Sequence, residues 1–154
     1  MKSQFFFRIE KADRSKTNII ADFQLKMALE TENLELEIAT VRNGVSAIFD
    51  HAERGFYLIV KDKTDNPIGS MLVQKEWSDW RNAEVWWLHS VFILPEYRGR
   101  GIFRKLFEET ERMALAAGVI GIRLYVDKRN TYAQQVYAGL NMSNKHYELY
   151  EKMF

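Results

Sequence analysis

The chain has 154 residues, 47% hydrophobic and 28% charged, with 22 basic against 21 acidic side chains for a net charge of +1. At roughly 150 residues per domain, that length predicts one compact domain, 1–154, able to bury on the order of 70% of its unfolded surface without a metal or disulfide. The charge balance excludes an electrostatic footprint for nucleic acid or membranes, and the lack of cysteine excludes disulfide frameworks, thiolate zinc sites and cysteine nucleophiles.

Residues Met1 to Arg8 lack a long apolar signal core, and no apolar run approaches the roughly 20 residues of a membrane helix. A soluble, unprocessed cytoplasmic protein is expected. Phe5 to Ile9 read as an opening strand, followed by turn and cap chemistry at Asp13 to Ser15. From Thr17 to Glu30, Ile19, Ile20, Phe23 and Met27 recur at helical spacing, and Glu35 to Phe49 repeats the pattern despite Gly44. Gly55 to Val60 is a strand. The turn Lys63 to Pro67 then returns the chain as an antiparallel strand from Ile68 to Glu76.

After a loop, Trp77 to Asn82, the stretch Val85 to Leu94 forms the most apolar segment, a central strand that Pro95 ends. Residues 102–117 give the clearest amphipathic helix, closed by Gly118 as a left-handed residue. Val119 to Val126 is a buried strand, Asn130 to Ala138 a short helix, and the alternation from His146 to Lys152 predicts a closing strand. A helix between two strands lets them lie parallel through a right-handed crossover.

The turn Arg98-Gly99-Arg100-Gly101-Ile102-Phe103 enters the clearest helix with two glycines and two arginines. Backbone N–H groups at a helix start, helped by the dipole, make an anion site to which glycines allow close approach. The ordinary alternative is a solvated loop with turn glycines and surface arginines. With its context the turn resembles the pyrophosphate loop of the GNAT superfamily of N-acetyltransferases, Arg/Gln-x-x-Gly-x-Gly/Ala between a fourth strand and a third helix. Arg98 and Gly101 match, and Phe103 stands in place of the final small residue. Asn130, Ala133 and Tyr137 resemble the family's second signature, with Asn141 and Met142 where glycine and phenylalanine are usual. The order of elements fits the family over nearly the whole chain.

The resemblance implies an α+β sandwich (α/β/α): a mixed, mostly antiparallel twisted sheet with a parallel, splayed fourth and fifth strand and about four helices. It implies acetyl-CoA as cofactor, with Val91, Phe92 and Ile93 holding the pantetheine arm as a short extra strand. The loop Arg98, Gly99, Arg100, Gly101, Ile102 and Phe103 takes the pyrophosphate, with Arg104 nearby, and Asn130 and Ala133 contact the cofactor. Tyr137 matches the family's general acid. For a base, regular alternation puts Trp87, His89, Val91 and Ile93 on one face, where His89 titrates near neutral pH; Glu84 points the other way unless a bulge shifts the register. Glu76, Trp80 and Trp87 suit an amine-bearing acceptor, although tryptophans here serve equally well as core. The expected partner is a small-molecule or protein amine, with no nucleic acid and no membrane; pairing as a homodimer stays open. The rival function is a non-catalytic acyl-CoA-binding or regulatory module of the same fold.

Overall fold

A computed structural model describes residues 5–154, which fall into a larger unit ending at Arg123 and a smaller one, Leu124–Phe154. The larger unit runs β1 (Phe7–Lys11), α1 (Thr17–Glu32), α2 (Ile38–Asp50), β2 (Gly55–Asp62), β3 (Pro67–Ser78), β4 (Ala83–Ile93), α3 (Ile102–Ala116) and β5 (Ile122–Arg123). These strands form one open sheet in the order β1-β2-β3-β4-β5, antiparallel except for the parallel β4/β5 pair. The smaller unit contains α4 (Thr131–Gly139). The mixed, mostly antiparallel sheet with four α-helices is the fold class expected from the sequence.

Boundaries move where a cap or a partner strand decides them. The Glu37 carboxylate accepts the amides of Ala39 at 2.9 Å and Thr40 at 2.5 Å, so α2 starts at Ile38 instead of Glu35. α1 runs past Glu30 to a left-handed Asn33 (φ 50°). β1 lies two residues later than expected because its limits follow β2, from Phe7 opposite Asp62 to Lys11 opposite Leu58.

α1 and α2 cover one face of the sheet, where Ile20, Ala21, Val45, Ile48, Tyr57 and Leu72 make a buried cluster. Phe23 of α1 meets Phe92 of β4 with ring centroids 5.4 Å apart, which anchors the helix over the end of that strand. The opposite face carries Val60, Met71, Val73 and Leu88, all buried, and α3 contributes the buried stripe Ile102, Leu106, Phe107, Thr110 and Ala114. Thr110 satisfies its hydroxyl within the helix by donating to the Leu106 carbonyl at 2.8 Å.

Two expected strands differ. β5 keeps two residues of the eight from Val119 to Val126, because its ladder with β4 holds only Trp86 opposite Ile122 and Trp87 opposite Arg123. The closing strand from His146 to Lys152 does not form: 124–154 contains no strand. Alternation prepares a segment for a sheet, but a strand also needs a neighbouring ladder.

Candidate functional site

β4 is not regular. Leu72 pairs with His89 and Ser70 with Phe92, so Met71 faces two residues, Ser90 and Val91, and Ser90 takes a left-handed φ of 51°. This bulge corrects the same-face expectation. Trp87 and His89 share a face with Phe92, while Ile93 turns to the other side. Glu84 lies before the bulge and stays opposite His89, where its carboxylate accepts the Trp86 indole N–H at 3.0 Å. Since β5 pairs only as far as Trp87, the stretch from Leu88 to Ile93 has a ladder on the β3 side alone. The strand therefore presents its other edge just before the chain turns into α3.

In that turn Gly99 (φ 71°) and Gly101 (φ 76°) adopt the left-handed backbone that glycine tolerates, and a Cβ on either would meet no atom within 4 Å. Gly101 is the N-cap of α3 and supplies no side-chain cap. Helix geometry leaves the first-turn N–H groups without intrahelical acceptors, so positive potential and open space coincide over the two glycines. A pyrophosphate fits that donor set.

The arginines of this loop already have protein partners. Arg98 donates to both Glu30 oxygens, at 2.5 and 3.0 Å, and through Nε to the Ile93 carbonyl at 2.8 Å. Its guanidinium thus ties α1 to the end of β4, and it holds the Glu30 carboxyl below the ordinary glutamate range. Arg100 donates to the Glu96 carbonyl at 3.0 Å and lies over the Phe5 ring, 4.6 Å from its centroid. Arg104 stands exposed on the first turn of α3. Ile102 is buried and Phe103 half-buried. Backbone, more than arginine charge, shapes this loop.

On the neighbouring face His89 is half-buried and stacked on Trp87, ring centroids 5.9 Å apart at 4°. Burial pushes its pKa below the ordinary histidine value, leaving a neutral imidazole at neutral pH. Glu76 accepts the Trp87 indole N–H at 3.1 Å and Arg123 at 2.8 Å. Glu76, Trp87, Arg123 and His89 therefore form one connected group. Trp80 sits on the β3–β4 hairpin tip, 87% exposed. Six residues of strand separate Ala83, at the base of that tip, from His89, about 20 Å at strand rise.

In the smaller unit Asn130 caps α4, its side-chain oxygen accepting the Ala133 amide at 3.1 Å. The cap explains an asparagine at that position without a ligand, and it leaves the side-chain amide as a donor. Tyr137 is half-buried on α4, and desolvation raises its pKa, keeping the phenol protonated. Asn141, which stands where glycine is usual, takes a left-handed φ of 62°, a backbone that asparagine tolerates.

Three contributors escaped the sequence reading: the bulge at Ser90, Glu30 as partner of Arg98, and Arg123 as partner of Glu76. A serine inside an apolar run is a weak bulge signal, and the two ion pairs join residues 68 and 47 apart.

The sequence profile of the acetyltransferase (GNAT) family matches residues 20–142, most of the chain, and the protein belongs to that family. A possible acetyltransferase from Clostridium difficile 630 has a similar structure, with TM-score 0.88 and 34% identity over 96% of this chain and 97% of that one. A predicted acetyltransferase from Clostridium acetobutylicum, solved with acetyl-CoA, shares the fold at TM-score 0.78 and 14% identity, covering 96% of each chain. A thialysine N-epsilon-acetyltransferase from Bos taurus is 32% identical over 73 residues, 47% of this chain and 42% of that protein. The chain thus spans less than half the length of that curated relative.

Proposed function

We propose that the chain, both units acting as one domain, is an acetyl-CoA-dependent N-acetyltransferase that moves an acetyl group directly to a primary amine of a small molecule or protein in a ternary complex. The observation that carries this reading is the coincidence, at one end of β4, of a half-free strand edge and a glycine-lined helix start. Val91 to Ile93 offer backbone groups to a pantetheine arm, and the amides around Gly101 to Arg104 receive a pyrophosphate. When bound, acetyl-CoA supplies an activated thioester.

His89 acts as base, because a neutral imidazole can take the proton that the attacking amine must lose. Tyr137 acts as acid: its phenol holds a proton at neutral pH and gives it to the departing sulfur. Glu76 and Trp87 line the acceptor side, Glu76 supplying a carboxylate and Trp87 an aromatic face for an ammonium group. Trp80, at the hairpin tip, stands outside this set. Asn130, with Ala133 fixed beside it by the cap, contributes to the cofactor.

A thiol-release screen of acetyl-CoA against a panel of amines tests the proposal. Amine-dependent release of CoA is expected. Saturable acetyl-CoA binding with no release for any amine would replace the enzyme by an acyl-CoA-binding module.

A further inference from the structure

The charged side chains of β3, β4 and β5 are Lys75, Glu76, Glu84 and Arg123. Register divides them. Lys75, opposite Trp86, and Glu84, opposite Trp77, lie on one face of the sheet, while Glu76 and Arg123 share the other with Trp87 and His89. The His89 face of these strands therefore carries one carboxylate matched by one guanidinium, and both are partly open to water, at 44% and 32% side-chain exposure. The Arg123 guanidinium and the Trp87 indole N–H donate to the same Glu76 oxygen, Oε2, at 2.8 and 3.1 Å. The other oxygen, Oε1, accepts from none of the described residues. With the guanidinium carbon 6.0 Å from the Trp87 ring centroid, one aromatic face is bordered by an unused carboxylate oxygen and by a cation.

We propose that the acceptor is a free α-amino acid, its ammonium group on Glu76 Oε1 over the Trp87 ring and its carboxylate on the Arg123 guanidinium, an inference that rests on the acetyl-transfer reading. The charge count selects this class. A polyamine brings a second ammonium group to a face whose one carboxylate already has a counter-charge, and that group meets Arg123. A lysine side chain of a protein brings an ammonium group and no anion for the guanidinium. An α-amino acid brings one charge of each sign a single carbon apart, matching a pair whose own charges lie 2.8 Å apart. Arginine suits a carboxylate by its planar fork as well as by its charge, and an ion pair open to water is weak enough to exchange partners. The amine held at Glu76 stands beside His89, which stacks on the same Trp87 ring, and it is the amine acetylated. Arg123 then sets specificity.

Calorimetric titration of the full chain, with CoA present, tests this on amino acids paired with the amines left when their carboxylate is removed: leucine with isopentylamine, phenylalanine with phenethylamine, lysine with cadaverine. In at least one pair the amino acid is expected to bind at least about tenfold more tightly, the scale of one hydrogen-bonded charge contact. Arg123→Gln should erase or invert that preference, because it removes the partner of the carboxylate and leaves Glu76 unmatched for an amine. Arg123→Lys, which keeps the cation, should retain the preference. If in no pair the carboxylate improves binding, or if Arg123→Gln weakens both members of a pair equally, the proposal is overturned. Thiol release separates it from the reading beneath it. Carboxylate-dependent binding without release of CoA from acetyl-CoA would uphold the ligand class and remove the acetyl transfer, whereas release with carboxylate-free amines alone would do the reverse.

Discussion

The two units of the chain are built on opposite terms. In the larger one, Ile20, Leu58, Ile59, Met71 and Leu106 are fully buried between a five-stranded sheet and three helices, and backbone approaches backbone with no room to spare. In the smaller one nothing is buried, and its order rests on local devices such as the Asn130 cap and the turn amides of Asn141 and Met142 returning to Ala138 and Tyr137. The proposed cofactor loop belongs to the densely packed unit and the proposed acid to the sparsely packed one. Substitutions in the buried sheet of the first should therefore be read mainly in stability, and substitutions at the site residues of either unit mainly in rate or affinity.

Gly55→Ala should have the largest effect on the fold. A Cβ there would lie 2.0 Å from the Val73 carbonyl oxygen, and φ is 148°. Since the neighbour is backbone, the β2–β3 ladder must shift, at a cost of at least about 2 kcal/mol, read as a lower midpoint in denaturant unfolding. An unchanged midpoint would mean that this ladder is less constrained than described. Tyr137→Phe is the counterpart in the smaller unit. It keeps the ring and removes the proton donor, so kcat should fall at least about tenfold, or about 1.4 kcal/mol in barrier, with the unfolding midpoint unmoved. Undiminished turnover would remove Tyr137 from the chemistry.

His89 sharpens the comparison through pH. Its lowered pKa means that the neutral base persists as pH falls through the ordinary value of about 6.5. The acid limb of kcat/KM should therefore have its midpoint below 6.5, and His89→Gln should abolish that limb. The sign for stability is the same: folding favours the neutral ring, so stability present above pH 6.5 is lost as the pH drops through the lowered value. A limb centred above 6.5 would assign the base elsewhere. Trp80→Ala should do least, below about 0.5 kcal/mol in stability, because the ring already faces solvent. A rise in the acceptor KM would place the amine as far out as the hairpin tip.

Legibility in the sequence divides along the same line. Helical spacing, turn chemistry and the glycines of the loop are local signals, and they located the strands from Gly55 to Leu94 and the helix after Gly101 within a few residues. The bulge at Ser90 was not legible, since it arises from β3 and β4 pairing with one residue to spare. Nor were the duties of Arg98, because its partners Glu30 and Ile93 reach it only through the packing of α1 against β4. The strand from His146 to Lys152 was over-read for the converse reason: its alternation is genuine, but the ladder it needs is not supplied in this structure.

The central claim is that the loop from Gly99 to Arg104 holds the pyrophosphate of acetyl-CoA, and calorimetric titration of the wild-type chain and Gly101→Asp tests it most directly. Gly101 is the helix N-cap with open space above it, and its left-handed φ of 76° costs an aspartate about 1 kcal/mol in stability, which leaves the chain folded while a carboxylate stands where the phosphates belong. Affinity should drop at least about 100-fold, the scale of like charges forced together. Equal affinity in the two proteins would contradict the assignment and put the cofactor somewhere else.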